Sequence, residues 1–181
     1  LGHITPQDIE NLRQRGESPE NIAMAEEYLR AVPRLERLAE LVTTAFAGMT
    51  LDDGIGLREA DGIDGYANDE KPRELRLLDE KTDWTRISAE LLEYCNAAPS
   101  FLDAKGMRFH LSAFLVAELR GDLSLSFLDR LIHHSFSAEG FIELLTPEQR
   151  HAIISVLSFV GSQGIYSYGS WQIAQAIARY S

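Results

Sequence analysis

Apolar residues along this 181-residue chain recur three and four positions apart in one stretch after another, which is the period of a helix face turned toward a core. Leu35, Leu38, Val42, Phe46 and Met49 form one such stripe, with Arg34, Glu36, Arg37 and Glu40 on the opposite side. Ile153, Val156, Leu157 and Val160 form another, at i, i+3, i+4 and i+7. From Phe109 to Leu119 the polar side disappears, and a helix that is apolar nearly all round belongs inside the molecule. No alternating run is long enough to mark a strand, and no fixed repeat period is visible. The pattern therefore predicts an all-α fold: an irregular helical bundle around a central buried helix at about Phe109 to Leu119. Its expected core includes Phe46, Trp84, Phe109, Phe114, Leu115 and Leu157.

Start signals sharpen several boundaries. A hydroxyl at the N-cap takes up a free amide, and proline at the next position loses nothing by lacking its own N–H. Thr5-Pro6, Ser18-Pro19 and Thr146-Pro147 are such pairs, and Gln149 completes a capping box with Thr146. They predict a short polar helix from Pro6 to about Gln14 closed by Gly16, a helix from Pro19 that Pro33 either kinks or restarts, and a helix from Pro147 to Val160. Gly48 helps to end the second. Further helices are expected at Leu57 to about Tyr66, Glu74 to Lys81, Ser88 to Cys95, Leu125 to His133, Ala138 to Leu145 and Trp171 to Tyr180. Breaks are expected at Asn68 to Pro72 and, as a turn, at Asp103 to Gly106. Residues 1–32 read as an N-terminal helical extension, and residues 33–181 as a single α-helical domain.

Composition then removes whole classes of function. The net charge of −11, with 17 cations scattered and no basic stripe, repels nucleic-acid phosphates. The longest purely apolar run, Ala113 to Ala117, falls far short of the roughly 20 residues a membrane span needs. A lone cysteine, Cys95, has no partner for an internal disulfide, and no Cys/His spacing resembles a zinc site, so a reducing, cytoplasmic setting is expected. No basic-then-apolar leader pattern opens the chain, which starts on Leu1 and reads as trimmed at that end.

The charge is concentrated. Between Asp52 and Asp83 stand 11 carboxylates against five cations, a local charge of −6. Paired acids suit a hard cation, and Asp79, Glu80 and Asp83, with Glu59 nearby if short helices pack together, are the residues that would hold one. No Ca²⁺-loop frame fits, however, because Ile63 or Tyr66 falls where an oxygen ligand is needed. The expectation is thus no bound metal and no cofactor. His133-His134 point about 100° apart on a helix, so one should face the core boundary and the other water. His110 reads as a hydrogen-bonded core histidine. There is no Gly-x-Ser-x-Gly elbow, no phosphate loop and no dinucleotide fingerprint at Gly54-Ile55-Gly56. Tyr166 and Tyr168, in the loop before Trp171, are free for contacts.

Three groups of residues carry a likeness: Asp53-Gly54-Ile55-Gly56-Leu57-x-Glu59-Ala60 with Asp64; Asp79-Glu80-x-x-Asp83-Trp84-x-x-Ile87; and Phe101-x-Asp103-x-x-Gly106-x-Arg108-Phe109. In this order they resemble the elements of an uncharacterised bacterial family, a domain of unknown function, over about Leu38 to Val160. The resemblance implies a cytoplasmic bacterial protein and brings no activity, cofactor or catalytic residue. His110 and Ser112 depart from the family pattern, which has an aromatic residue and a proline there. Read physically, Glu59, Asp79, Asp83 and Arg108 would form a partly buried ion-pair network holding the loop of Asp53 to Gly56 against the core, with Asp103 and Trp84 as structural supports.

Two functions follow. The leading one is a non-enzymatic, acidic interaction module for a basic protein partner, with Glu59, Asp64, Asp79, Glu80 and Asp83 as the binding face. Bacterial immunity proteins and antitoxins are the analogy, drawn from charge and size alone. The other is a metal-dependent hydrolase built on Glu59, Asp79, Glu80 and Asp83. Convergence of the four carboxylates separates them.

Overall fold

A computed structural model describes residues 4–65, 70–136, 138–164, 166 and 168–181. Among these residues the chain forms nine α-helices and no strand, so the all-α reading holds. In chain order they are α1 (Pro6–Gln14), α2 (Pro19–Ala45), α3 (Leu57–Asp64), α4 (Glu70–Arg76), α5 (Ala89–Tyr94), α6 (Ala104–Arg120), α7 (Phe127–His133), α8 (Pro147–Val160) and α9 (Ser170–Tyr180). Short 3₁₀ turns lie at Trp84–Arg86, Ala98–Ser100 and Ile142–Leu144.

The three hydroxyl-proline pairs all start helices. Thr5, Ser18 and Thr146 accept the N–H of Asp8, Asn21 and Gln149 respectively, and Gln149 returns the bond to Thr146. Pro33 neither ends nor restarts α2. The buried positions Ala25, Tyr28, Ala31, Leu35, Leu38, Ala39 and Val42 keep helical spacing across it. Pro33 itself lies on the exposed side, where water can take up the carbonyl that loses its donor. The expected boundary at residues 32 and 33 therefore falls inside a continuous helix.

Within α6, residues Met107, Phe109 to Ala117 and Leu119 are buried, and the helix packs against α2, α5, α7 and the turns at Trp84 and Ile142. The six expected core residues are all buried, none more than 4% exposed. Trp84 also donates its indole N–H to the Phe46 carbonyl at 2.9 Å, tying its turn to the end of α2. His110 is buried in α6, and its Nδ1–H donates to the Gly106 carbonyl at 2.7 Å. Burial pushes the His110 pKa down to about 4, which keeps the ring neutral.

Several expected boundaries shift. The helix expected at Ala138 to Leu145 shrinks to one 3₁₀ turn, because Gly140 takes a φ of +79° just before it. The helix expected at Glu74 to Lys81 lies earlier, at Glu70–Arg76, and Pro72 sits within its first turn, where its missing N–H would have had no helical partner. The break placed at Asn68 to Pro72 is thus helical from Glu70, while residues 66–69, Tyr66 included, lie outside the described residues. The turn expected at Asp103 to Gly106 is the first turn of α6, with Asp103 as its N-cap. His133 and His134 are both exposed, correcting the division between core and water.

Candidate functional site

The acidic stretch folds into a latch between the loop at 52–56, α3, the end of α4 and the start of α6. Its parts are local and few. Gly56, as the residue before α3, offers no side chain to cap it. The Asp79 carboxylate does so from outside, accepting the N–H of Arg58 at 2.8 Å and of Glu59 at 3.2 Å. A Cβ on Gly56 would stand 2.1 Å from the Asp79 carboxylate, so the approach needs glycine. Asp103 performs a second bridge: one oxygen accepts the N–H of Ile55 at 3.0 Å and the N–H of Gly106 at 2.8 Å, joining the loop to the first turn of α6. A Cβ on Gly106 would lie 2.3 Å from the Ile55 carbonyl oxygen. Burial pushes the Asp79 carboxyl above the ordinary aspartate range, against the pull of its two N–H donors, with the Glu59 charge adding to the rise.

Of the expected ion-pair network only Glu59 meets a cation in the latch, and it is not Arg108. Glu59 pairs with Arg76 at 2.6 Å in a half-buried setting, and Arg76 also donates to the Asp53 carbonyl at 2.9 Å. Arg108 instead faces Gln149, at 3.4 Å. Its position on α6, one turn beyond Asp103, aims it toward the start of α8. Asp83 stays local as well, capping the Trp84 turn through Thr85 and lying 3.7 Å from Arg86. Glu80 folds back on its own turn, where one oxygen accepts the N–H groups of Lys81, Thr82 and Asp83 at 2.8–3.1 Å. Those donors, Thr82 first, hold its pKa below the ordinary glutamate range. Asp64 is the last residue of α3. The structure therefore brings Glu59, Asp79 and Asp103 into one latch and spends Glu80 and Asp83 separately. Among the described residues, no group of three or more His, Cys, Asp or Glu side chains could hold a metal ion.

A different part of the molecule encloses space. Between α2, the connection from α6 to α7, and the segment before α9 lies an open cavity of about 470 Å³, with Tyr28, Glu118, Asp129, His133, Tyr166 and Tyr168 in its wall. Glu118 caps α7 from outside, much as Asp79 caps α3. Its two oxygens accept from the Ser126 hydroxyl and the Leu128 N–H, both at 2.7 Å. Burial raises the Glu118 pKa despite these donors. The three tyrosines are raised as well, first by burial and then by nearby carboxylates: Asp122 for Tyr28, Glu118 for Tyr166 and Asp129 for Tyr168. His133 lies 3.5 Å from Asp129, one helical turn away on α7.

The model of a family of unknown function, DUF6714, matches residues 34–180. The chain belongs to that family. No match was found among curated proteins or solved structures. The DUF6714 segment runs past the limit expected at Val160, so α9 lies inside it, and it begins within α2, one residue after Pro33. Every latch residue falls within the DUF6714 segment, whereas Tyr28 of the cavity precedes it. Tyr166 and Tyr168 were legible as contact residues. Glu118 was not, although an acid inside a run otherwise apolar from Ala113 to Leu119 is a signal that sequence does carry.

Proposed function

We propose that the protein is a non-enzymatic interaction module that docks a basic protein partner in a reducing cytoplasm. The observation that carries this reading is how the candidate metal ligands are used. Asp79 and Glu80 are turned to backbone N–H groups, Glu59 to Arg76, and Asp83 to its own turn, so each carboxylate already has a structural role. The hydrolase reading needs those four to converge on one ion. What the latch leaves for a partner is the exposed remainder of the acidic stretch, including Asp52, Asp53, Glu70 and Glu74. Asp53 meets Lys105 in an exposed pair, and exposed pairs exchange partners at little cost. Opposite charge speeds encounter and is screened beyond about 8 Å at physiological salt. Cys95, the sole thiol, is fully buried with its pKa pushed up to about 11, so it stays an unreactive thiol in such a setting. Neutralising a basic toxin, as immunity proteins and antitoxins do, is a role consistent with this charge and size.

Capture from native lysate tests the reading, with wild type beside a variant carrying Asp52→Asn, Asp53→Asn, Glu70→Gln and Glu74→Gln. A discrete basic protein should be retained by wild type at low salt, be lost as salt rises and be weakened by the variant. Retention indifferent to salt and to the variant would overturn the reading. So would metal-dependent hydrolysis abolished by Glu59→Gln in a protein that still melts as wild type.

A further inference from the structure

The tyrosine-lined cavity has a chemistry of its own. Among the described residues its wall carries two carboxylates, Glu118 and Asp129, and three tyrosine rings, and no lysine or arginine. Among the described residues of the wall His133 is the one basic side chain, and it lies beside Asp129 rather than Glu118. Glu118 is also held in place, by Ser126, Leu128 and the Phe127 N–H, while a carboxylate has about four lone-pair directions, so those three donors leave about one open. An anion is disfavoured on every count, since the N-terminus of α7, the natural anion site nearby, is already filled by Glu118. A purely apolar group would strip water from the two carboxylates without replacing its hydrogen bonds. A cation on an alkyl stem satisfies both kinds of wall: the charge meets Glu118, and the stem and cation meet the aromatic rings.

We propose that this cavity receives an alkyl guanidinium or ammonium group, the end of an arginine or lysine side chain offered by the basic partner. The proposal deepens the interaction reading by naming what the partner inserts, and rests on it only for the source of the cation. A free amine or guanidine presents the same chemistry.

The test is a titration of the full chain with N-acetyl-arginine amide, followed through the backbone amide resonances of Gly121, Ser124 and Leu128. Saturable shifts at these positions are expected. N-acetyl-citrulline amide, nearly the same shape without the charge, should bind at least about tenfold more weakly, the change that about 1.4 kcal/mol of charge and cation–π attraction produces. Asp129→Asn, an exposed position that leaves the α7 cap intact, should weaken arginine-amide binding about twofold. Equal binding of the citrulline compound, or shifts that never saturate and spread over the acidic surface, would overturn the cavity. A Gly-Arg-Gly peptide separates the sources: binding as tight as the amide supports a protein side chain, and exclusion of the peptide while the free amide binds overturns that clause. Cavity binding without any salt-sensitive capture of a basic protein would sink the docking function and keep the cation site; capture with a silent cavity would do the reverse.

Discussion

Asp79 and Glu118 each reach from one element to the unsatisfied N–H groups at the start of another helix, and burial raises the pKa of both. Their surroundings then differ. Asp79 is half-buried and is pressed on one side by Gly56 and the α3 backbone, at a separation too small for a methyl group. Glu118 caps α7 and still fronts a cavity of about 470 Å³. A carboxylate whose oxygens are both taken by backbone N–H groups at a contact too tight for a methyl group belongs to the scaffold, however densely acids crowd around it in the sequence. One that caps a helix and also meets open volume has capacity left for a ligand. The inner part of the most acidic stretch is therefore a latch, and a cavity wall with acids to offer lies where acids are sparser.

Denying the latch its close approach should have the largest effect. Gly56→Ala should cost about 3 kcal/mol or more, because the new methyl group must displace the Asp79 carboxylate and strand the α3 amides. Gly65→Ala, where a Cβ would meet the Asp61 carbonyl at an ordinary 3.6 Å, should stay within about 0.5 kcal/mol. Paired melting curves check both. Equal losses at the two glycines would mean that Asp79 gives way freely and the latch is not closed.

The second test uses pH, because His110 donates to the carbonyl of Gly106 beside the latch. The folded chain keeps His110 neutral down to a pKa of about 4, while the unfolded chain takes up a proton near the ordinary 6.5. Between those values the unfolded state binds more protons, so the contribution of His110 is fully present above about pH 6.5 and is lost as pH falls toward 4. The full loss is about 3 kcal/mol. His110→Phe removes this component, so its stability should fall less than that of wild type between about pH 7 and pH 4.5. Identical pH profiles would contradict the buried neutral ring.

What sequence could supply follows the range of the interaction. Thr146 and Gln149 are three residues apart, and their reciprocal bonds were legible before any fold was known. The stripe through Leu35, Leu38 and Val42 is likewise a matter of local period, and so was the identity of α6 as the buried helix. Asp79 was legible as a structural acid but its partners were not, since the Arg58 and Glu59 amides lie 21 and 20 positions away and amides have no sequence signature. Arg76 in place of Arg108 as the partner of Glu59 shows the same limit: charge type can be read, and which of several arginines arrives cannot. The cavity was the least legible feature, because empty volume between Tyr28 and Tyr168 depends on how helices far apart in the chain come together.

The smallest expected effect makes the same substitution on both sides. Asp79→Asn and Glu118→Gln each remove a charge and keep the shape and one accepting oxygen. Because burial already disfavours both charges, the loss of attraction to the helix N-terminus is partly offset, and each variant, whose amide NH2 can no longer accept one of the donors, should lie within about 2 kcal/mol of wild type near neutrality. The pH sign is fixed: a carboxyl with a raised folded pKa adds stability below its unfolded pKa, and that contribution is lost as pH rises through the folded value. Wild type should therefore gain on each amide variant as the pH is lowered, on both sides of the comparison. Ligand binding is where the two must part. Glu118→Gln should abolish saturable binding of N-acetyl-arginine amide, and Asp79→Asn should leave it unchanged, since Asp79 does not line the cavity. If both variants bind equally well, Glu118 is as fully spent as Asp79, and the contrast between a closed and an open carboxylate disappears.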